Sequence, residues 1–457
     1  MTSQISTPNY PADEHGPVPD ADTVAQLRAR VAERLAPGDD RARQRSLVAA
    51  EITAWTLHRA AQGDQPMSEI AEKRLTEAVL AALSGLGDLQ PLLEREDVEN
   101  IHIHGYDRVW LECADGSVQA WPHPVGRSDA DLLAQLESMF ARLGQTSREF
   151  SPAHPMGNLR LSAGGPLGAR LAAVREVADR PRIAIRRHRL AHATLDDLHQ
   201  RGTVNDQVRD FLHAAVRAGL NLLVTGGPAA GKTTLLRSLC HAVPDHEHVV
   251  TVEDDYELGL HLNPVEHPLV TALEARTPNA EGAGEITLDD LLKQTLRHSP
   301  SRVVVGEVRG GEITSLLRAL GNGAAGGMGT LHATSARAVP DRIAALGQLA
   351  HPPLSVAAAH RWTASALDLI VHVTRRDSAG SRERVVTEIC EVGPVGDAGT
   401  PDLIPLFGPH PSNGRIAAVY PPSEPLRARL HQHGFDPRSL QRNDINKVTD
   451  PRQGVAS

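Results

Sequence analysis

In the first part of the chain the hydrophobic residues follow two different spacings, which alternate from segment to segment. Apolar residues recur every three to four positions over 44–62, over 67–83 and again after Ser128, which predicts amphipathic helices. Elsewhere apolar and polar residues alternate in short runs bounded by Gly, Asp and Pro, which predicts strands. The predicted strands are 100–104, 108–112, 117–121, 158–161, 169–174 and 182–187. Residues 41–190 are therefore predicted to form a smaller α+β N-terminal domain.

Strand and helix patterns then alternate regularly. The predicted strands are 221–225, 248–253, 302–306 and 328–332, separated by helical patterns at 233–242, 287–298 and 311–320. This alternation predicts an α/β domain with a mostly parallel sheet covered by helices over 204–400. Residues 369–373 and 384–391 are predicted to close it as a hairpin. The remaining segments are predicted to be a disordered tail (1–40), a linker (191–203) and an irregular C-terminal extension (401–457).

A glycine-bounded loop follows the first strand of the predicted α/β domain. The loop reads Gly226, Gly227, Pro228, Ala229, Ala230, Gly231, Lys232, Thr233 and Thr234, and a helical pattern follows it. Strand, loop, Lys-Thr and helix in this order are typical of a P-loop, whose backbone N–H groups cradle nucleotide phosphates. Lys232, one of only four lysines, adds a compact positive charge, and Thr233 supplies a hydroxyl for Mg²⁺.

The composition of the chain narrows the classes of protein to which it could belong. The chain has 457 residues and a net charge of −9, which gives no support to a protein that coats nucleic acid. Its three cysteines are scattered, which excludes a disulfide framework and is typical of a reducing compartment. We expect no transmembrane segment, because no apolar run approaches about 20 residues. Histidine pairs such as His102/His104 lack a predicted third ligand, so no metal site is expected among them.

Three further segments end predicted strands with polar residues. Glu307 follows a Val-rich strand in the position of a Walker B acid, and the first acid usual there is replaced by Gly306. Glu253 ends a second strand and could contact Mg²⁺ through water, although it could also be a surface acid. His332 ends a third strand, where a histidine is either a satisfied sheet-end residue or a sensor of the γ-phosphate. Ligands of open α/β sheets bind at this edge.

These motifs together resemble the type II/IV secretion-system ATPase superfamily. The resemblance runs through 253–258, 274–285, 306–312 and the segment around His332, and a run at 85–93 resembles the entry to the family's N-terminal domain. Among its branches the chain is most similar to the CpaF/TadA-like branch, which serves tight-adherence pili. The fold implied is a RecA-like P-loop domain preceded by the smaller α+β domain.

The resemblance also implies roles. Lys232 and Thr233 would bind ATP and Mg²⁺, Glu307 would be the catalytic carboxylate, and Glu253 and His332 would lie near the metal and the γ-phosphate. Four arginines would act near the nucleotide or across subunits: Arg276 and Arg297 as the family's Arg-box residues, and Arg170 and Arg186 in the N-terminal domain. The resemblance further implies a homo-oligomeric ring, expected to be a hexamer, in the cytoplasm at the inner face of the cytoplasmic membrane. Its partners would be inner-membrane platform proteins.

The chain differs from the family's usual sequence at several positions, and these differences leave other functions open. Pro228-Ala229-Ala230 replaces a Thr-Gly-Ser usual in the branch, and Ser299 and Ser301 replace charged residues beside the Arg box. These changes motivate a second hypothesis, a nucleotide-gated assembly platform that binds ATP with negligible turnover. A third, a RecA-like motor on DNA, is disfavoured by net acidity and few aromatic residues for base stacking. We expect no nucleic-acid partner.

Overall fold

The secondary structure comes from a computed structural model. It describes residues 21–35, 41–65, 67–84, 86–143, 150–165, 167–187, 192–279, 281–321, 325–378, 381–410 and 415–436. The helices are α1 (Ala21–Arg34), α2 (Arg41–Ala61), α3 (Glu69–Ser84), α4 (Gln90–Glu94), α5 (Asp129–Leu143), α6 (Leu195–Gln200), α7 (Asp206–Arg217), α8 (Lys232–Cys240), α9 (Leu288–Thr295), α10 (Ile313–Gly321), α11 (Val339–Gly347), α12 (Val356–Ala366) and α13 (Glu424–Gln432).

The strands form two sheets. They are β1 (Val98–His104), β2 (Val109–Cys113), β3 (Val118–Trp121), β4 (Met156–Leu161), β5 (Ala169–Val174), β6 (Arg182–Arg187), β7 (Leu222–Gly226), β8 (Val249–Glu253), β9 (Val270–Glu274), β10 (Arg302–Val308), β11 (Met328–His332), β12 (Leu369–Ser378), β13 (Ser381–Val395), β14 (Pro401–Pro409) and β15 (Ile416–Ala418). The chain divides into two compact units, the first ending at Arg187.

The first unit is built on an antiparallel sheet. Within the described residues its order is β3-β2-β1-β6-β5-β4. Alternate residues of β5 and β6 are buried, and α5 contributes Leu132, Leu136 and Phe140 to the same apolar core. The strands and the helix after Ser128 lie where the hydrophobic periods predicted them.

The N-terminal tail prediction is wrong for part of its length. Residues 21–34 form α1, and its Leu27 and Val31 are fully buried in one apolar cluster with residues of α2 and α3. These two residues lie four positions apart and therefore on one helix face. The Pro- and Asp-rich composition that motivated the tail belongs mainly to residues 1–20, which lie outside the described residues.

The second unit contains a larger mixed sheet with helices on both faces. In the described part of the chain its order is β15-β14-β13-β12-β7-β11-β10-β8-β9. The six strands from β12 to β9 are parallel, and those from β13 to β15 pair antiparallel. Separate apolar clusters cover the two faces, one including α7 and α8 and the other α9 to α11. This is the predicted RecA-like α/β domain.

The boundaries of this unit differ from those predicted. The linker over 191–203 contains α6, whose N-terminus has a capping box between Thr194 and Asp197 and whose Leu195 joins the core. The extension over 401–457 is not irregular throughout. Strands β14 and β15 widen the sheet, and Phe407 and Leu430 are buried in the core beside α7.

Candidate functional site

The phosphate loop joins β7 to α8. Gly231 is the N-cap of α8 and has a φ of 95°, in the left-handed region that favours glycine. Gly226 approaches the neighbouring strand so closely that a Cβ there would lie 2.2 Å from the carbonyl oxygen of Val373. Lys232 and Thr233 begin α8, where unpaired backbone N–H groups accumulate. The local sequence therefore builds an anion-binding turn at the carboxyl edge of the parallel strands.

Ala229 is strained within this loop. Its φ is 54°, a conformation that costs a residue with a Cβ roughly 1–2 kcal/mol. Its carbonyl oxygen accepts a 3.1 Å hydrogen bond from Nε of Arg384 on β13. A Cβ at Gly231 would lie 3.1 Å from Cδ of the same arginine, so the side chain of Arg384 crosses the loop. Arg384 therefore braces the loop at the position where the family's glycine is missing.

Lys232, His332 and Glu307 lie close together. His332 and Glu307 stand at the carboxyl ends of β11 and β10, and Lys232 begins α8 after the loop that follows β7. Lys232 Nζ lies 3.0 Å from the carbonyl oxygen of Gly227 and 3.2 Å from Nδ1 of His332. His332 Nε2 lies 2.6 Å from Oε1 of Glu307. The register of β10 against β11 shifts between Val305 and Val308, and such a bulge redirects the side chain of Glu307. A cation, an imidazole and a carboxylate thus form one continuous chain of contacts.

Arg309 holds the other oxygen of Glu307. Its Nη2 donates to Oε2 of Glu307 at 2.6 Å, and its Nη1 lies 3.4 Å from Oδ2 of Asp254. Burial lowers the pKa of this guanidinium, but its acidic neighbours, led by Glu307, raise it more. Arg309 therefore links the ends of β8 and β10 through two carboxylates.

Glu253 is almost completely buried, with 1% of its surface exposed. Its Oε1 accepts backbone hydrogen bonds from Glu257 and Leu258 at 2.9 and 2.8 Å. Its Oε2 is buried without a hydrogen-bond partner among the described residues. Burial raises the pKa of Glu253 to about 7, against the lowering effect of the two backbone donors. Glu253 is therefore not a surface acid but a buried carboxyl group whose pKa is raised by its burial.

His332 is kept neutral by its surroundings. Burial is the main cause that lowers its pKa, and the charge of Lys232 lowers it further, against the raising effect of Glu307. A neutral imidazole can donate from one nitrogen and accept at the other. It can therefore relay contacts between the ammonium and the carboxylate.

The predicted Arg-box residues lie on the surface. Arg276 Nε donates to the carbonyl oxygen of Gly284, and Arg297 Nη1 donates to Oε1 of Gln294. Both arginines are exposed, and these hydrogen bonds do not reach the phosphate loop. Their catalytic role stays a prediction.

Arg170 and Arg186 are neighbours on the first unit's sheet. They face each other across β5 and β6, and Arg160 on β4 lies opposite Arg170. Like charges directly opposite one another in a sheet are unfavourable. The outward face of this sheet thus carries a row of three arginines suited to an anion, a pattern that register alone reveals.

Sequence reasoning missed several site residues. Arg309 and Arg384 are two among very many arginines, and no local pattern distinguishes them. His372 is also missed: its Nδ1 lies 3.0 Å from Oγ1 of Thr225, and both side chains are buried beside the loop. A histidine inside the otherwise apolar run 369–373 was the available signal.

The chain is similar to proteins of known families. Residues 133–396 match the family model described as "Type II/IV secretion system protein". A putative conjugal transfer protein of Mycobacterium tuberculosis is 37% identical over 307 residues, covering 66% of this chain and 83% of that protein. The type IV secretion system protein PtlH of Bordetella pertussis is 31% identical, covering 65% and 91%. Among solved structures, the pilus retraction motor PilT with bound ADP is 18% identical with a TM-score of 0.48, covering 68% of this chain and 82% of PilT.

Among the described residues, no helix combines the length and the apolar character needed to cross a membrane. The family match spans α5 to β13 and includes the phosphate loop, Glu253, Glu307 and His332. The arrangement of these groups at one sheet edge is that of a nucleotide-binding site. The chain therefore belongs to the type II/IV secretion-system ATPase family.

Proposed function

We propose that this protein hydrolyses ATP in the presence of Mg²⁺ as a subunit of a ring-shaped motor for protein export or pilus assembly. The observation that carries the proposal is the chain of contacts from Lys232 through His332 to Glu307. Lys232 Nζ lies 3.2 and 3.3 Å from the two ring nitrogens of His332, so a phosphate-binding cation and a base for water both contact one imidazole. Phosphoryl transfer requires positioning and charge stabilisation of this kind.

Nucleotide binding is supported by the present partners of Lys232. The ammonium contacts a neutral carbonyl oxygen and a neutral imidazole, so a phosphate oxygen would be a stronger partner.

The residues present are suited to Mg²⁺. Glu253 Oε2 is a buried carboxylate oxygen without a hydrogen-bond partner in the described part of the chain, and Glu307 Oε1 is a second buried carboxylate oxygen, which lies 2.6 Å from Nε2 of His332. Thr233 lies half-buried in the first turn of α8. Oxygen donors of these kinds are the ligands that Mg²⁺ prefers, directly or through its waters. When bound, Mg²⁺ supplies positive charge that stabilises the transferring phosphoryl group.

In hydrolysis, Lys232 would bind the terminal phosphates and Glu307 would orient the attacking water and accept its proton. ATP binding would draw Lys232 away from Gly227 and His332. His332 would then contact the γ-phosphate and Glu307 at the same time. Arg309 would hold Glu307 in position through its ion pair.

The exposed arginines support a ring. Arg276 and Arg297 do not reach the phosphate loop within one chain, so we propose that they act on a neighbouring subunit's nucleotide. The arginine row of β4 to β6 would receive phosphate when the N-terminal domain closes. Such a ring, proposed to be a hexamer, would work in the cytoplasm against membrane-embedded platform proteins. The names of two relatives, a putative conjugal transfer protein and a type IV secretion system protein, support a role in secretion. Membership of the CpaF/TadA-like branch remains a prediction.

The test is the steady-state rate of ATP hydrolysis with Mg²⁺ as protein concentration rises. We expect a specific rate that climbs with concentration and falls at least about 100-fold in Glu307→Gln. Glu77→Gln, an exposed substitution on α3, is the matched control and should keep the rate. A rate in Glu307→Gln equal to that of the unaltered chain would contradict the proposal.

Two other functions have distinct outcomes. ATP binding with turnover at background would favour a nucleotide-gated platform, which the strain at Ala229 and the ion pair on Glu307 support. Stimulation by single-stranded or duplex DNA would favour a nucleic-acid motor. We expect neither DNA binding nor stimulation.

A further inference from the structure

A second cluster of potential ligands lies at the far end of the phosphate-loop helix. His241 is the C-cap of α8, and Glu266 and His267 lie in the connection between β8 and β9. One ligand atom from each residue lies within 4.8 Å of the other two. Because α8 has nine residues, this cluster is about 13 Å along the helix from Lys232. It is therefore separate from the nucleotide site.

The contacts within the cluster converge on one atom. His241 Nδ1 lies 3.2 Å from Nε2 of His267 and 3.1 Å from Oε2 of Glu266. A single ring nitrogen has either one proton or one lone pair, so it cannot satisfy both neighbours as a hydrogen-bond partner. A cation between the three atoms would satisfy them together. Ligands at about 2.1 Å from a tetrahedral Zn²⁺ lie roughly 3.4 Å apart, close to the two separations measured from His241 Nδ1, and the third lies within 4.8 Å.

Both imidazoles are largely buried: the side chain of His241 is 9% exposed and His267 is 6% exposed. Glu266, at 54% side-chain exposure, supplies a mobile carboxylate and an entry path from solvent.

We propose that His241, Glu266 and His267 form a site for a divalent transition metal, Zn²⁺ foremost, with a fourth position open to water. Two histidines and a carboxylate are a known ligand set for zinc. The bound ion would fasten the end of α8 to the β8–β9 connection. That connection supplies the backbone donors of Glu257 and Leu258 that hold Glu253. The metal would thus stabilise the scaffold of the nucleotide site without entering it.

The test uses the full chain without an affinity tag, stripped of metal and free of nucleotide. We expect titration calorimetry to find one tight equivalent of Zn²⁺ and a rise in melting temperature. Co²⁺ should give the visible absorption of a tetrahedral site. Removal of one ligand in His267→Gln should weaken binding at least about 100-fold, more than the loss of a supporting outer-shell group.

Matched variants distinguish Zn²⁺ binding at this site from Zn²⁺ binding by other histidines of the chain. His246→Gln removes a side chain that is 80% exposed and only five residues from His241, and should leave the tight equivalent unchanged. Glu266→Gln removes an exposed ligand without disturbing the core, so it tests the site even if His267→Gln folds poorly. Equal Zn²⁺ affinity in the unaltered chain, Glu266→Gln and His267→Gln would overturn the proposal, as would the absence of a tight equivalent.

Discussion

The side chain of Glu253 occupies the space beside the backbone of Gly306. A Cβ at residue 306 would lie 3.0 Å from Cγ of Glu253 and 3.3 Å from its Oε1. The two residues belong to adjacent parallel strands, β8 and β10. Gly306 stands where the Walker B segment usually has its first acid. Its lack of a side chain is what leaves room for the buried Glu253 on β8, because a side chain at residue 306 would displace Glu253.

Gly306→Ala should destabilise the chain and disturb Glu253. Glu253 is held by two backbone hydrogen bonds and cannot retreat easily, so we expect a loss of about 1–3 kcal/mol in the free energy of unfolding. Urea unfolding checks this. Gly321→Ala is the control, since among the described residues the nearest atom to a Cβ there, Cβ of Ala366, lies 3.9 Å away. Equal stability of the two variants would contradict the packing argument.

Glu253 should make stability depend on pH. Its pKa is raised from 4.5 to about 7 in the folded chain, so the folded state binds a proton that the unfolded state releases between these values. This stabilisation is complete below pH 4.5 and is lost as pH rises towards 7. Relative to the unaltered chain, Glu253→Gln should therefore gain stability over this window, by about 3 kcal/mol at most. Melting curves at several pH values measure the difference, which should stay flat in Glu77→Gln.

Ala229→Gly should relieve strain in the phosphate loop. Glycine adopts the observed φ of 54° without a Cβ penalty, so we expect a gain of about 0.5–1 kcal/mol in stability and tighter ATP binding. Ala230→Gly is the matched control: Ala230 is buried and does not have a positive φ, so glycine there should be destabilising. Thermal unfolding and nucleotide titration compare the two. A loss of stability in Ala229→Gly would show that the strain is absent.

His332→Gln should lower turnover more than binding. We expect kcat to fall about 100-fold or more while ATP affinity changes only a few-fold, because Lys232 and the loop remain. His246→Gln should leave both unchanged. In the unaltered chain the pKa of His332 lies below the ordinary value of 6.5, so the imidazole is still mostly neutral at pH 6.5. Activity should therefore persist at pH 6.5 and decline only at more acidic pH. A loss of ATP affinity with kcat unchanged would assign His332 to binding alone.

Arg186→Gln should have opposite effects on stability and activity. It removes one charge from the row formed with Arg170 and Arg160, which should raise the stability of the nucleotide-free chain by roughly 0.2–1 kcal/mol. ATP hydrolysis should fall, because the row would lose an anion-binding group. Arg28→Gln, on the exposed face of α1, is the control. An unchanged rate of ATP hydrolysis in Arg186→Gln would show that the arginine row takes no part in hydrolysis.

Much of the fold could be predicted because local patterns agreed with the final packing. Strands β7, β8, β10 and β11 and the phosphate loop lie within two residues of their predicted positions, whereas β12 runs to Ser378, five residues beyond the predicted 369–373. Strand β9 was missed because it is an edge strand whose five residues are all only half-buried, which erases the alternation. Strand β14 was predicted as irregular because Pro401 and Pro405 interrupt it, and the structure accommodates Pro405 beside a register shift in β13.

The sequence by itself determined the anion-binding turn, since glycine positions, Lys232 and the start of α8 are set by local backbone geometry. It also placed Glu253, Glu307 and His332 at strand ends. Only the tertiary structure decided that Arg309 and Arg384 serve this site, that Gly306 makes room for Glu253, and that His241 meets Glu266 and His267. These relationships join residues 2 to 155 positions apart, and most of them depend on strand order and burial, which no local pattern encodes.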